Sequence, residues 1–251
     1  MMALLVMLLG CVSVGDAPFQ EGLTALRAGD STAALSGFER AIAEGARDPA
    51  VYHGLGNALY RLGHEGEAVA VWRRGLALEP RNGDIEANLD HVRKGFKDRI
   101  EPPKMHRGAF FWQSFLAPIE TGILAAIALA LGLWIAVLGR WQRLRGGSVR
   151  SSNLRLTAGL SVLLGGVLVI STADAVEQRR GAVVTVDEVD VRSALGPSGV
   201  SLFVLHEGAE VALEDETETH CLLVLSDGRK GWVNTRALRS TNPAHPFVFS
   251  D

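Results

Sequence analysis

The sequence predicts a multidomain α plus β protein: a short α-solenoid, a two-helix transmembrane hairpin and a small β-barrel, in that order. Three observations predict it. Two uncharged stretches, Thr121–Gly139 and Leu156–Ala173, flank a segment whose only charges are arginines. An internal repeat precedes them, with key residues recurring at a shift of 34. Valine alternation broken by turn residues comes after them. The 251 residues leave about 118 before the hairpin and about 78 after it, room for one small domain on each side.

Residues 1–14 read as a signal segment. Ala3–Leu9 is an apolar run of seven residues, too short to span a bilayer and suited to the h-region of a secretory signal, although no Lys or Arg precedes it. Leu8-Leu9-Gly10-Cys11 is similar to a bacterial lipobox, in which the cysteine is acylated. Ordinary cleavage near Ala17 is the alternative, and is slightly preferred. Either outcome exports the repeat domain.

Residues 15–97 hold the repeat. Gly22, Gly29, Ala34 and Phe38 recur as Gly56, Gly63, Ala68 and Trp72, each shifted by 34. The second copy is the cleaner, with Tyr52, Leu55-Gly56, Leu59, Gly63, Ala68, Trp72 and Pro80. This pattern and period resemble the tetratricopeptide repeat (TPR). Gly56 and Ala68 are small because paired helices cross there, and Gly63 ends the first helix, where a left-handed residue costs least as glycine. Tyr52 and Trp72 fill the space between neighbouring helices, and Pro80 stops the second one. The first copy is degraded, with Pro18 and Ala25 where bulky residues are usual. A third begins at Gly83 and supplies one helix, with Ile85, Leu89, Val92 and Phe96 as its apolar stripe. Asp90, Arg93, Lys94 and Lys97 lie elsewhere on that helix, so it reads as a solvating cap. Five helices make a marginal solenoid, so docking on the membrane, the C-terminal domain or a partner is expected to contribute.

The resemblance implies a concave face built from the first helices of the repeats. His53, Asn57, Tyr60 and Arg61 then face a protein-binding groove, with His91 and Lys94 continuing it. Such a polar, mildly basic groove suits an acidic or C-terminal peptide. The alternative is that these are solvated surface residues.

Residues 98–118 form a linker that Pro102-Pro103 stiffens. The spans are placed at 119–139 and 156–173; the uncharged stretches within them hold 19 and 18 residues, roughly the reach of a ~30 Å hydrocarbon core. The loop 140–155 carries Arg140, Arg143, Arg145, Arg150 and Arg155 and no acid, which places it in the cytoplasm and both flanks outside. Gly122, Ala126 and Ala130 on the first span, and Ser161 and Gly165 on the second, have the four-residue spacing of close helix contact. Trp112 and Trp141 suit the interfaces. The uncharged stretches Thr121–Gly139 and Leu156–Ala173 hold no ionisable residue, which favours an anchor over a transporter.

Residues 181–239 form the last domain, before a tail at 240–251. Ala182–Val186, Val189–Val191, Phe203–Leu205, Glu210–Glu214 and Cys221–Leu225 read as short strands, and Asp227-Gly228 as a tight hairpin before Gly231-Trp232-Val233. Val191-Arg192-Ser193, Gly196-Pro197-Ser198, Leu205–Gly208 and the Asp227 to Val233 close resemble the bacterial SH3-like family. The sequence departs from it by inserting Ala194-Leu195, and by His220 where the family commonly has tryptophan. Trp232 is expected in the core, and Cys221 to be buried and inert.

Composition excludes little but points consistently. A formal charge of −3 gives no support to nucleic-acid binding. The seven histidines are scattered, without metal-ligand spacing, and there is no phosphate loop. His220 and Cys221 point to opposite faces of a strand, so they cannot pair as nucleophile and base. The expectation is a protein that is not an enzyme, with no cofactor and no metal. Signal, repeats, hairpin and SH3-like domain in this order resemble the BatE-like proteins of bacterial Bat (aerotolerance-type) operons. That resemblance implies a cell-envelope scaffold in the inner (cytoplasmic) membrane, both soluble domains in the periplasm. It implies envelope partners, among them von Willebrand A-domain membrane proteins and a MoxR-type ATPase system. A peptidoglycan-binding wall reader is the alternative, and a redox sensor using Cys221 a weaker third.

Overall fold

The computed structural model describes residues 16–98, 100, 112, 116, 118–145, 151–177, 181–195 and 199–243. The export signal with Cys11, most of the linker, the middle of the arginine loop and the Gly196-Pro197-Ser198 turn lie outside the described residues. Two compact units emerge: Met1–Lys104 together with Arg180–Asp251, and Met105–Arg179.

The first unit opens with five helices, α1 (Asp16–Ala28), α2 (Ser31–Ala43), α3 (Pro49–Arg61), α4 (Glu65–Leu78) and α5 (Gly83–Arg93). Their starts are written locally. Asp30, Asp48 and Asn82 accept backbone N–H bonds from Ala33, Ala50 and Ile85, covering donors that a helix start leaves open. Gly29 and Gly63 follow α1 and α3 at φ near +85°, where a side chain would be strained. The helix crossings are equally specific. The Phe38 ring sits between Gly22 of α1 and Gly54 of α3, and Trp72 lies on Gly56. In the degraded first copy, α1 and α2 touch backbone to backbone: a Cβ on Gly37 would lie 2.7 Å from the Gly22 nitrogen. Small residues in α1, including Pro18, suit that approach.

Seven strands follow: β1 (Gly181–Val184), β2 (Glu188–Arg192), β3 (Ser201–His206), β4 (Glu210–Glu216), β5 (His220–Val224), β6 (Lys230–Asn234) and β7 (Leu238–Ser240). They form one antiparallel sheet in the order β3-β2-β6-β5-β4-β1-β7. The expected barrel is therefore corrected to an open sheet, since β3 pairs only with β2 and β7 only with β1. The strand the sequence reading lacks is β7, three residues that pair with β1 after a single turn of 3-10 helix at Thr235–Ala237. Trp232 is a second correction. On β6 the buried positions are Gly231 and Val233, so Trp232 points to the other face, half-buried beside Leu222 and Arg192. Gly231 has to be small, because a Cβ there would lie 2.4 Å from the Val191 side chain.

The sheet docks on the helices. Val183 belongs to the helical core, while Ala182 and Val184 on the opposite face of β1 belong to the sheet core. Burial on both faces explains the unbroken apolar run at 182–184. Glu210, 7% exposed, receives Arg73 from α4 and Arg93 from α5, at 2.5 and 2.6 Å. Arg74 donates to the Ser240 carbonyl, and Glu67 faces Arg239 at 3.4 Å. His64 makes no side-chain cap for α4; instead the Glu207 carboxylate accepts the Gly66 N–H at 2.8 Å, capping the helix from the β3–β4 turn. Phe96 packs over Gly208, and Asp98 holds both the backbone N–H and the imidazole of His206. These contacts correct the reading of α5 as a solvating cap. Arg93 is spent on Glu210, and just beyond the helix Lys97 lies 2.7 Å from His206 Nε2.

The second unit contains α6 (Pro118–Leu144) and α7 (Ser151–Glu177), both long and apolar enough to cross a membrane. Their seam includes Ser161 and Gly165 of α7 as expected, but differs on α6, where Ala126 and Ala130 lie outside it. Thr121, Ala125 and Gly132 are buried on α6, and Ala158, Gly165 and Ser171 on α7, whereas Ala126 and Ala130 are exposed. Gly132 lies against Ala158 and Ser161, and Gly165 against Ala125 and Leu129. With half-buried Ala128 and Ile135 on α6, and Ser161 and Leu168 on α7, the spacing alternates between four and three over 121–135 and 158–168, the heptad pattern of a left-handed pair. A run of four-residue steps drifts off that seam, which is why alanine spacing alone selected the wrong face. Trp112 donates to Ser171 Oγ at 3.0 Å, and Arg145 lies over the Trp141 ring at 3.8 Å.

Candidate protein-binding groove

Five of the six residues singled out from sequence line one groove of about 460 Å³. They are His53, Asn57, Tyr60 and Arg61 on α3 and His91 on α5. Lys94 does not line it; it caps the C-terminus of α5 as an exposed residue. Asp84, Ala87 and Asn88 on α5, and Trp72 on α4, complete the walls and were not anticipated. The signal was present: α5 repeats α3 at the 34-residue shift, which places Ala87 and His91 where α3 has His53 and Asn57.

The groove floor is fixed by hydrogen bonds. Asn88 Nδ2 donates to Asn57 Oδ1 at 2.9 Å and lies 3.2 Å from His53 Nε2. The second contact requires an unprotonated Nε2. Burial pushes His53 below its ordinary value of 6.5, outweighing the opposing effect of Asp84. Tyr60 packs against Trp72 and meets His91 edge-on. Arg61 Nη1 donates at 2.9 Å to the Leu26 carbonyl in the last turn of α1, where a cation is favourable. Arg61 is thus both a helix-end contact and an exposed groove cation.

The depressed His53 value has a pH consequence. The unfolded chain binds this proton more readily than the folded one, so the contribution is complete above pH 6.5. It is lost as pH falls from there through the lower folded value. Melting temperature measured at pH 7.5 and at pH 5 is expected to fall less in His53→Asn than in the native protein. An equal fall in both would remove His53 as the cause.

Against these residues the comparisons are direct. The tetratricopeptide repeat family matches the chain over residues 49–82. This chain contains a tetratricopeptide repeat. The matched segment covers α3 and α4, and so supplies His53, Asn57, Tyr60, Arg61 and Trp72 of the groove. No curated protein and no solved structure matches the chain significantly. The repeat generally mediates binding to partner proteins, and its open face here is the groove, while α4 carries the sheet.

Other chemistry is sparse among the described residues. They include no cluster of three or more His, Cys, Asp or Glu side chains arranged to hold a metal ion. Cys221 is 1% exposed, and burial, with Glu216 adding to it, pushes its thiol up to about 11. The thiol is therefore protonated at neutral pH and covered, a poor redox sensor.

Proposed function

We propose that this protein is a membrane-anchored scaffold of the bacterial cell envelope. It binds partner proteins through the repeat groove, with no catalysis of its own. The observation that carries the reading is the fusion of helices and sheet into one unit that leaves the groove of α3, α4 and α5 open. Residues before and after the hairpin pack together through Glu210 and Val183, so they share one side of any membrane that α6 and α7 cross. A loop with five arginines and no acid supports the opposite side, the cytoplasm, for residues 140–155. The order of modules, similar to that of BatE-like proteins, suggests envelope partners of the von Willebrand A-domain and MoxR-associated kinds. Anchoring raises the local concentration of the groove for a membrane partner, so weak contacts suffice.

The test is site-specific photocrosslinking in intact cells with a probe replacing Ala87, a groove residue outside the buried core. A discrete crosslinked protein is expected, absent when the probe replaces exposed Glu214 on the sheet. Labelling of single cysteines at 146 and 229 with an impermeant reagent reads the topology, and only position 229 is expected to react. Reaction at 146 alone would overturn the orientation. Co-sedimentation of the protein with purified peptidoglycan, without a crosslinked protein, would favour the wall reader instead.

A further inference from the structure

The pair Asn57 and Asn88 is left with complementary spare groups. Their mutual bond uses Asn88 Nδ2 and Asn57 Oδ1, and the His53 contact uses the remaining Asn88 amide hydrogen. What remains is the Asn57 amide as donor and the Asn88 carbonyl as acceptor, both on groove-lining residues. One donor beside one acceptor is what a single peptide unit takes, through its C=O and its N–H. Nucleobases offer such a pair only on particular edges, whereas a main chain offers it at every residue whatever its sequence.

Charge is arranged differently, at the two ends. Asp84 lies in the first turn of α5 and is exposed, with no hydrogen-bond partner among the described residues. Its counterpart one repeat earlier is Ala50, at the start of α3. Arg61 lies in the last turn of α3, with His91 beside that end. Since α3 and α5 are successive first helices and run the same way, the acid and the cation mark opposite ends of the groove. Eleven helical positions separate the levels of Ala50 and Arg61, about 16 Å. An extended chain covers that in about five residues.

Resting on the scaffold reading, we infer that the groove takes an extended partner segment by its main chain and selects one with a basic side chain at one end and an acidic one at the other. This refines the expectation of an acidic ligand, which left out Asp84. An all-acidic segment meets repulsion at Asp84 and an all-basic one at Arg61. Only the bipolar segment pairs at both.

The full chain in lipid nanodiscs is titrated with capped alanine–glycine peptides carrying terminal Lys/Glu, Glu/Glu or Lys/Lys, with three to six residues between the charges. The Lys/Glu peptide is expected to bind roughly 5–10-fold tighter than either uniform peptide, the size expected from two exposed pairs. Asp84→Lys is expected to switch the preference to Glu/Glu, and a gained preference cannot come from misfolding. Asn57→Ala is expected to weaken all peptides by a similar factor, as loss of a main-chain contact requires. Equal affinities for the three peptides, or an unchanged order in Asp84→Lys, would overturn the inference. If a discrete crosslinked partner is nevertheless found from position 87, the scaffold reading survives while this one fails.

Discussion

Gly56→Leu is expected to unfold the helical half of the first unit. A Cβ built on Gly56 would lie 2.3 Å from Trp72 Nε1 and 2.4 Å from Cδ1, inside any tolerable contact. Trp72 cannot step aside, because it is 2% exposed and packed in the core that also holds Tyr52 and Leu55. Overpacking of this kind costs typically ~1–3 kcal/mol, and leucine adds three further carbons to the collision. Gly63→Ala is the informative comparison. Gly63 has open space around it but a φ of +85°, so only backbone strain of about 1–2 kcal/mol is at stake. Thermal melts of the full chain in nanodiscs, followed by circular dichroism, are expected to rank Gly56→Leu well below Gly63→Ala. Equal melting temperatures for Gly56→Leu and the native chain would defeat the packing around Trp72.

Legibility in the sequence depends on how local each cause is. The five helices were readable because their stops and crossings are set within one repeat: Gly63 ends α3, Gly56 admits Trp72, and Asp48 caps α3. Five groove residues were readable for the same reason, as periodicity alone places them on first helices. Lys94, at the C-cap of α5, stands outside the groove lining. The strand β7 failed because Leu238-Arg239-Ser240 has no alternation of its own; its pairing with β1 creates it. The barrel failed similarly, since closure depends on which edges meet and not on any strand's own composition.

The docking of sheet on helices was the least legible feature. Arg73, Arg74 and Arg93 look in sequence like solvated charges on helix faces, and Glu210 like an acid at a strand start. Their partners are 117 to 166 positions away, beyond any local pattern. The missing cap of α4 was one available hint. A helix that starts at His64 without a side-chain acceptor needs one from elsewhere, and Glu207 supplies it. Val183 offered a second: three consecutive apolar residues in β1 require cover on both faces.

That interface carries the other large expected effect. Glu210→Ala leaves Arg73 and Arg93 facing each other across a site that was 91% closed to solvent on the carboxylate side. Removing one partner of a buried charge set costs ~3–5 kcal/mol, and the arginines, 22% and 29% exposed, recover part of that by hydration. An effect of about 2–4 kcal/mol is therefore expected. Lys230→Ala is the control, since its pair with Glu214 is about half exposed on both sides and should be worth ~0–1 kcal/mol. Hydrogen exchange should show where the energy goes: protection is expected to fall in β1 and in the first turn of α4, which Val183 and Glu207 tie together. Unchanged exchange there, with a melting temperature like that of Lys230→Ala, would show that Glu210 does not hold the halves. The consequence reaches the groove without touching it. Arg73 stands on α4 and Arg93 on α5, so Glu210 fixes the pitch of α5, which carries Asp84 and Asn88, against α4. Loosening it should weaken binding of the Lys/Glu peptide in the native groove while leaving the rank order of the three peptides intact, because the charges that set that order are still in place.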